Sequence, residues 1–379
     1  MSGRPLVVFG MAYFSGMGRV TAALAEAAGR HGASAGVPTV LICPEMEIEP
    51  EGIARIRYSR PRGGKGKVGK LLSLLRYNLD AARAVWANTP RGAIFLTVDL
   101  FSTVPLSLLP PLAARLRGAR LVLNLHDFYP HAPRYPRKLR GLERWFFRLA
   151  YRRFDRIATM TDAQIGRLVS EAGIDRARIV PISHGAFPIA GVVPPTTDEP
   201  VRLLAMGAIR RNKSTLASIV AMAEPGVAAV LRLAGAPRPE EQDYWALCRE
   251  ALVRLPGAEV DARFIPDDQL PSVLSGVAGF LSPYEGFDSS SGVSILAVTN
   301  RIPLIATPCA VPEELRDHAD AWYPIAEPVS AQTIAEAVRG FQALSPEQRA
   351  AMAGRAHALF ASRNHWDEAI SAIVASLSD

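Results

Sequence analysis

Cysteine is scarce. Cys43, Cys248 and Cys309 are the only three in 379 residues, far apart and odd in number, with no paired spacing. A disulfide framework or a zinc site is therefore not expected, and a reducing cytoplasm fits. Long apolar runs are missing too. The stretch from Met1 to Gly10 is too short in apolar length for a secretory signal. The most apolar region, 93–116, contains Asp99, Pro105, Pro110 and Pro111, so it reads as a buried strand and helix, and any membrane contact is expected to be peripheral. The dinucleotide fingerprint is absent as well. Gly10, Gly16 and Gly18 follow the first apolar run at other spacings, and Pro44 precedes Glu45 where an acidic residue would close the second strand. That pattern disfavours a nicotinamide dehydrogenase. No nucleic-acid-binding module is recognisable, so no nucleic acid is expected as a partner.

What is present is a soluble, globular composition, 49% hydrophobic and 21% charged, with a formal net charge of +7. The positive balance favours an anionic partner such as a nucleotide-linked substrate or an acidic membrane surface. Short apolar runs alternate with helical patterns. In the first half the runs are 6–9, 37–43, 93–98, 120–125, 155–160 and 178–182. In the second they are 201–206, 228–234, 259–264, 279–281 and 303–306. A helix is expected from Arg19 to about His31. Such alternation predicts mostly parallel sheets with helices on both faces. The proline-bearing stretch 187–200 interrupts the rhythm and marks a boundary. The expectation is two Rossmann-like α/β domains facing a cleft: residues 1–190 joined by a C-terminal helix over 365–379, and residues 198–364.

Ligands of such sheets bind beyond the carboxyl ends of the strands, and the candidate residues stand there. Gly16 and Gly18 belong to a glycine-bearing loop after the first strand. His126 and Asp127 follow the run ending at Leu125, where they can exchange protons or hydrogen-bond a sugar hydroxyl. Ser183-His184-Gly185 holds a similar place but reads as a turn leaving the domain. Two basic stretches stand out. Residues 55–76 read as a mobile basic loop leading into an apolar segment and touching lipid or an anionic acceptor. Residues 134–153 read as a solvated helix face with Trp145 and Phe146 in the core. In the second half, Arg210 and Lys213 lie in the turn Gly207–Ser214. A guanidinium fork and a mobile ammonium suit phosphate oxygens. The stretch Ser282–Ala297 reads as strand, turn and helix, with Ser289, Ser290 and Ser291 at the N-cap, Gly292 open to close approach, and Glu285 just outside. Two anion devices on one face match a diphosphate leaving group.

These second-half motifs, with the late Asn364-His-Trp-Asp-Glu368, resemble the donor-binding domain of retaining family-4 glycosyltransferases of the GT-B fold. The resemblance implies a nucleotide-sugar donor, UDP- or GDP-linked, no cofactor and no bound metal, and transfer with retained anomeric configuration to a glycan, lipid-linked or small-molecule acceptor in polysaccharide, glycolipid or glycosylated-metabolite synthesis. By analogy Arg210, Lys213 and the backbone of Ser290, Ser291 and Gly292 hold the diphosphate. Glu285, with Gly286 and Phe287, meets the donor sugar, and His126 with Asp127 lines the reaction centre. Trp366 starts a helix crossing back to the first domain. One departure stands out: Val293 occupies the place of the family's second glutamate. An epimerase, a phosphorylase or a non-catalytic partner subunit on the same frame are the competing readings.

Overall fold

The short apolar runs of the first half fold as buried parallel strands. The computed structural model describes residues 3–11, 15–46, 49–59, 66–98, 100, 105–129, 137–195, 200–361 and 366–377. They form two units. One runs through Gly185 and includes the C-terminal helix; the other begins at Ala186.

The first unit contains β1 (Leu6–Phe9), α1 (Ser15–Ala35), β2 (Thr39–Pro44), β3 (Ala54–Tyr58), α2 (Gly66–Asn88), β4 (Ile94–Thr97), α3 (Leu109–Leu116), β5 (Arg120–Leu125), α4 (Arg140–Tyr151), β6 (Arg156–Thr159), α5 (Asp162–Ser170) and β7 (Ile179–Pro181). All strands pair in parallel, in the order β3-β2-β1-β4-β5-β6-β7. β1 and β4 are buried along their whole length, as the unbroken apolar runs require of strands covered on both faces. The order reverses at β1 and β4, so a switch point opens beyond their carboxyl ends. Phe9 of β1 stacks on Phe95 of β4 with centroids 5.5 Å apart, and each such buried ring is worth about 1.5–3 kcal/mol.

The second unit contains β8 (Val201–Met206), α6 (Thr215–Ala221), β9 (Ala229–Ala234), α7 (Gln242–Leu252), β10 (Glu259–Asp261), α8 (Leu270–Leu274), β11 (Gly279–Ser282), α9 (Gly292–Thr299), β12 (Leu304–Ala306), β13 (Tyr323–Pro324), α10 (Ala331–Gln342) and α11 (Pro346–Ala361). Its sheet is parallel, in the order β10-β9-β8-β11-β12-β13, with its own reversal between β8 and β11. The segment after Gly185 is bonded into this unit: Ile189 N donates to Asn300 Oδ1 at 2.8 Å and Phe187 N to Thr299 Oγ1 at 3.3 Å. The last helix, α12 (Trp366–Ala375), packs on α1 of the first unit, where Arg30 Nη2 meets Asp367 Oδ1 at 2.8 Å.

Four expectations change. The 55–76 stretch is not one loop. Its start is strand β3, paired with β2 from Val40↔Ala54 to Pro44↔Tyr58, and its end is the first half of α2. The arginines disguise the strand, which lies at a sheet edge with its side chains largely in water. Positions 60–65 of that stretch, and 134–136 of the second, lie outside the described residues. Helix α1 begins at Ser15, so Gly16 and Gly18 sit in its first turn and not in a loop. Trp145 is 54% exposed and not part of the core, while Phe146 is half-buried. Finally, β13, a two-residue strand, is not anticipated by any apolar run.

Glycine decides one close approach in the second unit. At Gly235 (φ +142°) an added Cβ would stand 2.1 Å from the Gly207 carbonyl oxygen. Gly235→Ala is expected to destabilise the second unit by about 1–3 kcal/mol or more, read as a lowered urea midpoint. A midpoint equal to wild type would show that the β8 and β9 termini have slack there.

Candidate functional site

In the first unit the polar residues gather at the carboxyl ends of β5, β6 and β7. Asn124 lies in β5 and His126 just beyond its carboxyl end. The buried Asn124 amide Nδ2 lies 2.8 Å from His126 Nε2. That nitrogen then accepts, which leaves the His126 proton on Nδ1. The His126 carbonyl accepts from Gln164 Nε2. Gln164 is held in turn by Thr159 Oγ1 and by the cap of α5, where Thr161 Oγ1 accepts from Gln164 N at 3.2 Å. Asp127, half-buried, follows on the loop.

His184 belongs to this cluster, although the sequence reads it as part of a connecting turn. It is 4% exposed. Its ring stands edge-on to His126 with centroids 5.9 Å apart, and tilted on Trp366 at 4.9 Å. Its Nδ1 lies 2.7 Å from the Gly185 carbonyl oxygen. Gly185 admits the indole: an added Cβ would stand 2.2 Å from Trp366 Cε2. The missed signal was the pairing of two His-bearing strand ends, which needs the strand order and not just the strands. Burial pulls His126 down to about 4, against the opposing charge of Asp127, and pulls His184 to about 3, helped by His126. Both rings are neutral near pH 7 and offer hydrogen bonds rather than charge.

In the second unit the site lies at the reversal between β8 and β11. The chain leaves β8 through Gly207 (φ +98°) and a tight helical turn, Arg211–Lys213, and Ser214 enters α6 in the left-handed region (φ 49°). Lys213 folds back under this turn and is 9% exposed. Its Nζ donates to the Met206 carbonyl at 3.2 Å and lies 4.9 Å from the centroid of the Tyr284 ring. Burial lowers its pKa from the usual lysine range, opposed by Tyr284 and assisted by the Arg210 charge. A Cβ on Gly207 would meet Lys213 Nζ at 2.7 Å and Val293 Cγ2 at 3.3 Å, so the start of α9 closes over the same spot.

The loop after β11 is tied to that turn. Glu285 N donates to the Asn212 carbonyl at 2.9 Å, and Ser214 Oγ donates to Glu285 Oε2 at 2.8 Å. The exposed Glu285 therefore has one oxygen held and the other turned to its surroundings. Thr307 Oγ1 donates to the Tyr284 carbonyl at 2.7 Å and fixes the loop from below. Gly286 takes φ +59°, and the Arg210 guanidinium lies 5.9 Å from the Phe287 ring centroid. Of the three serines, Ser291 is the cap: its Oγ accepts from Ser294 N at 3.2 Å. Ser290 beside it is half-buried. Gly292 opens α9 with nothing within 4 Å of where a Cβ would stand. Ser282 Oγ and Tyr284 Oη are buried without a hydrogen-bond partner. Neither was singled out in the sequence, because buried hydroxyls have no pattern of their own.

The structure thus gathers Lys213, Ser214, Glu285, Ser291 and Gly292, with Arg210 on Phe287, at one strand terminus. It gathers His126, Asn124, His184 and Trp366 at another. Gly16 and Gly18 join neither through any contact described above. Among the described residues no group of three His, Cys, Asp or Glu side chains could hold a metal ion.

Residues 14–186 match the family model described as Glycosyltransferase Family 4. The match falls on the first half, where the sequence signs are the less specific. The whole chain shares its fold with solved glycosyltransferases of the GT-B type. Anabaena Alr3699/HepE, solved in complex with UDP and glucose, is 14% identical over 98% of this chain and 99% of that one, with a TM-score of 0.70. WaaG, a glycosyltransferase involved in lipopolysaccharide biosynthesis, is 16% identical over 99% and 100%, TM-score 0.69. Sucrose-phosphate synthase from Thermosynechococcus elongatus is 16% identical over 98% and 96%, TM-score 0.69. No curated protein matches the chain in sequence. Residues 14–186 thus resemble one glycosyltransferase family in sequence, and the whole chain has a fold that solved glycosyltransferases share.

The two neutral histidines set a pH dependence. In the unfolded chain each ring would titrate near 6.5. Their contribution to stability is full above that value and is lost as pH falls toward 4, at up to about 1.4 kcal/mol per pH unit for each ring. Urea unfolding between about pH 8 and about pH 5 should show this decline, and His184→Asn should flatten it. An unchanged slope in that variant would mean that His184 titrates normally in the folded protein.

Proposed function

We propose that the chain transfers a sugar from a nucleotide-sugar donor, UDP- or GDP-linked, to a glycan, lipid-linked or small-molecule acceptor, with retained anomeric configuration and without a metal or other cofactor. One observation carries this reading: a nearly buried ammonium, Lys213, with no carboxylate against it among the described residues, beside the capped, open start of α9 at the sheet reversal. Buried charge without a counter-ion is costly, and a diphosphate supplies the missing partner. Backbone N–H groups at a helix start add fixed positive potential for the same group.

In the reaction the bond between the anomeric carbon and the diphosphate oxygen breaks, and the nucleoside diphosphate departs with the electron pair. Lys213 and Arg210 stabilise the charge that develops on it. The acceptor hydroxyl adds to the same face of the sugar and gives its proton to a departing phosphate oxygen, so no protein nucleophile is required. Glu285, oriented by Ser214, accepts from donor sugar hydroxyls, with Gly286 and Phe287 beside it. His126, neutral and with its proton on Nδ1, donates to a hydroxyl at the reaction centre, next to Asp127. Val293 leaves ribose recognition to other groups. We assign the acceptor side to the first unit and the donor side to the second, and place the protein in the cytoplasm, where the basic 55–76 segment meets the inner face of an anionic membrane.

A second reading rests on Val293: an apolar residue where a carboxylate is expected suits a non-catalytic partner of an active transferase. Lys213→Met separates the two. Under the transfer reading, nucleoside-diphosphate binding by calorimetry weakens and turnover falls by about 10²–10³-fold, with the thermal midpoint held or raised. Wild-type turnover in that variant removes Lys213 from the site. A wild-type protein that binds no nucleoside diphosphate or nucleotide sugar favours the partner-subunit reading.

A further inference from the structure

Asn124 is the one polar residue in the buried part of β5, whose other buried positions are Leu121, Val122, Leu123 and Leu125. Its side chain is fully enclosed, and an enclosed amide costs free energy wherever its hydrogen bonds are not made. An apolar side chain would fill the same place without that cost. The amide makes one contact outside its own strand: Nδ2 donates to His126 Nε2 at 2.8 Å. It also makes a sacrifice, because Oδ1 is buried without a hydrogen-bond partner.

Turning the amide over would serve the fold less well. Oδ1 would then accept from a protonated Nε2, and the two N–H groups of Nδ2 would stand where Oδ1 now finds no partner. Buried N–H groups without an acceptor are rarer in folded proteins than under-satisfied carbonyl oxygens, so Nδ2 keeps its place toward the ring. The backbone beneath that ring is held separately. Gln164 of α5, itself fixed by Thr159 and Thr161, donates to the His126 carbonyl. With Nε2 committed to Asn124, Nδ1 is the ring nitrogen left for a ligand, and it makes no hydrogen bond among the described residues. Two titratable neighbours face the ring. Asp127 follows in the chain and favours a charged imidazole, and His184 stands edge-on at 5.9 Å. Gln164 brings no charge.

We propose that Asn124 is a positioning residue for His126: its amide holds the imidazole proton on Nδ1, so the ring meets bound substrate as a hydrogen-bond donor and is barred from acting as a base. A base at Nδ1 would need that proton moved to Nε2, where one N–H would face another and the Asn124 bond would be lost. The substrate atom opposite Nδ1 is therefore a hydrogen-bond acceptor, a hydroxyl or phosphate oxygen, and the proton of an attacking hydroxyl leaves by another route. The catalytic consequence rests on the transfer reading; the place of the proton does not.

Long-range proton–nitrogen correlation spectra of the isotope-labelled full chain, near neutral pH, read the tautomer directly. His126→Gln identifies the His126 resonances among those of the other histidines. Wild type should carry the proton on Nδ1. Asn124→Asp puts an acceptor of the same shape where the amide donor stood, and should move the proton to Nε2. Asn124→Ala should return the ring to the ordinary preference of a histidine side chain for Nε2–H. Under the transfer reading, kcat of Asn124→Asp should fall by about 10²–10³-fold, the usual cost of one lost donor, with KM little changed. Its pH–rate profile should also gain an ionisation, because a carboxylate on Nε2 favours the charged ring. A wild-type ring protonated on Nε2 overturns the proposal, and this spectrum decides even where Asn124→Asp fails to fold. A proton that stays on Nδ1 in both Asn124 variants overturns it too, as does an inverted tautomer with wild-type kcat. No sugar transfer by the wild-type chain, with the proton on Nδ1 and moved by Asn124→Asp, would instead count against the transfer reading alone.

Discussion

A positive charge enclosed without a negative one is the constraint to which the second unit is built. Moving an ammonium out of water costs several kcal/mol even after relaxation. Lys213 recovers part of that through the Met206 carbonyl and the face of Tyr284, and neither neutralises it. Every local feature serves this placement. Gly207 has no side chain where Nζ lies, Gly235 lets the β9 terminus close on Gly207, and Ser214 adopts a left-handed turn so that α6 can start beside Glu285. The lowered pKa follows from the same burial. Any anion bound there would reverse the balance by favouring the charged form, so anion binding and full protonation of Lys213 would be linked.

The first unit solves a different problem with different chemistry. Its strand-end cluster is made of neutral donors and acceptors: an amide, two uncharged imidazoles and an indole. Neutral groups can bind a hydroxyl without first displacing a charge, and burial keeps them neutral. The chain Thr159, Gln164, His126 carbonyl fixes the backbone that carries the imidazole. Trp366 fixes His184 from the last helix. The position of a ring on β5 therefore depends on residues at the far end of the chain. Under the proposed transfer, cationic groups in one unit and neutral hydroxyl-binding groups in the other would divide the labour between a diphosphate and an alcohol.

Much of the architecture was legible because both sheets are parallel and buried. Runs such as Leu6–Phe9 and Arg120–Leu125 have no other reading between helical patterns, and Arg120–Leu125 and Val201–Met206 are strands over those very residues. What escaped were elements whose side chains face water. β3 carries Arg55 and Arg57 at an edge, where period and hydrophobicity say little. Candidate residues in turns at strand ends, Lys213 and Glu285 among them, were legible from position. Their partners were not, since Tyr284, Asn124 and His184 gain meaning only when strand order brings distant ends together. Trp145 failed in the opposite sense: a tryptophan among apolar neighbours reads as core, and only the angle of α4 on the sheet turns it outward.

That outward tryptophan bears on what the fold needs for itself. α2 is anchored by Tyr77, Ala81 and Val85, and α4 by Phe147, Ala150 and Tyr151. Those contacts meet the requirement of an amphipathic helix for one buried face. On the opposite faces Leu71 and Leu72 stay mostly exposed; single exposed apolar residues are ordinary, but helical rows of them are not. The α1 face shows that the same unit can cover its sheet without such rows. The difference between the two faces is therefore not a consequence of the fold.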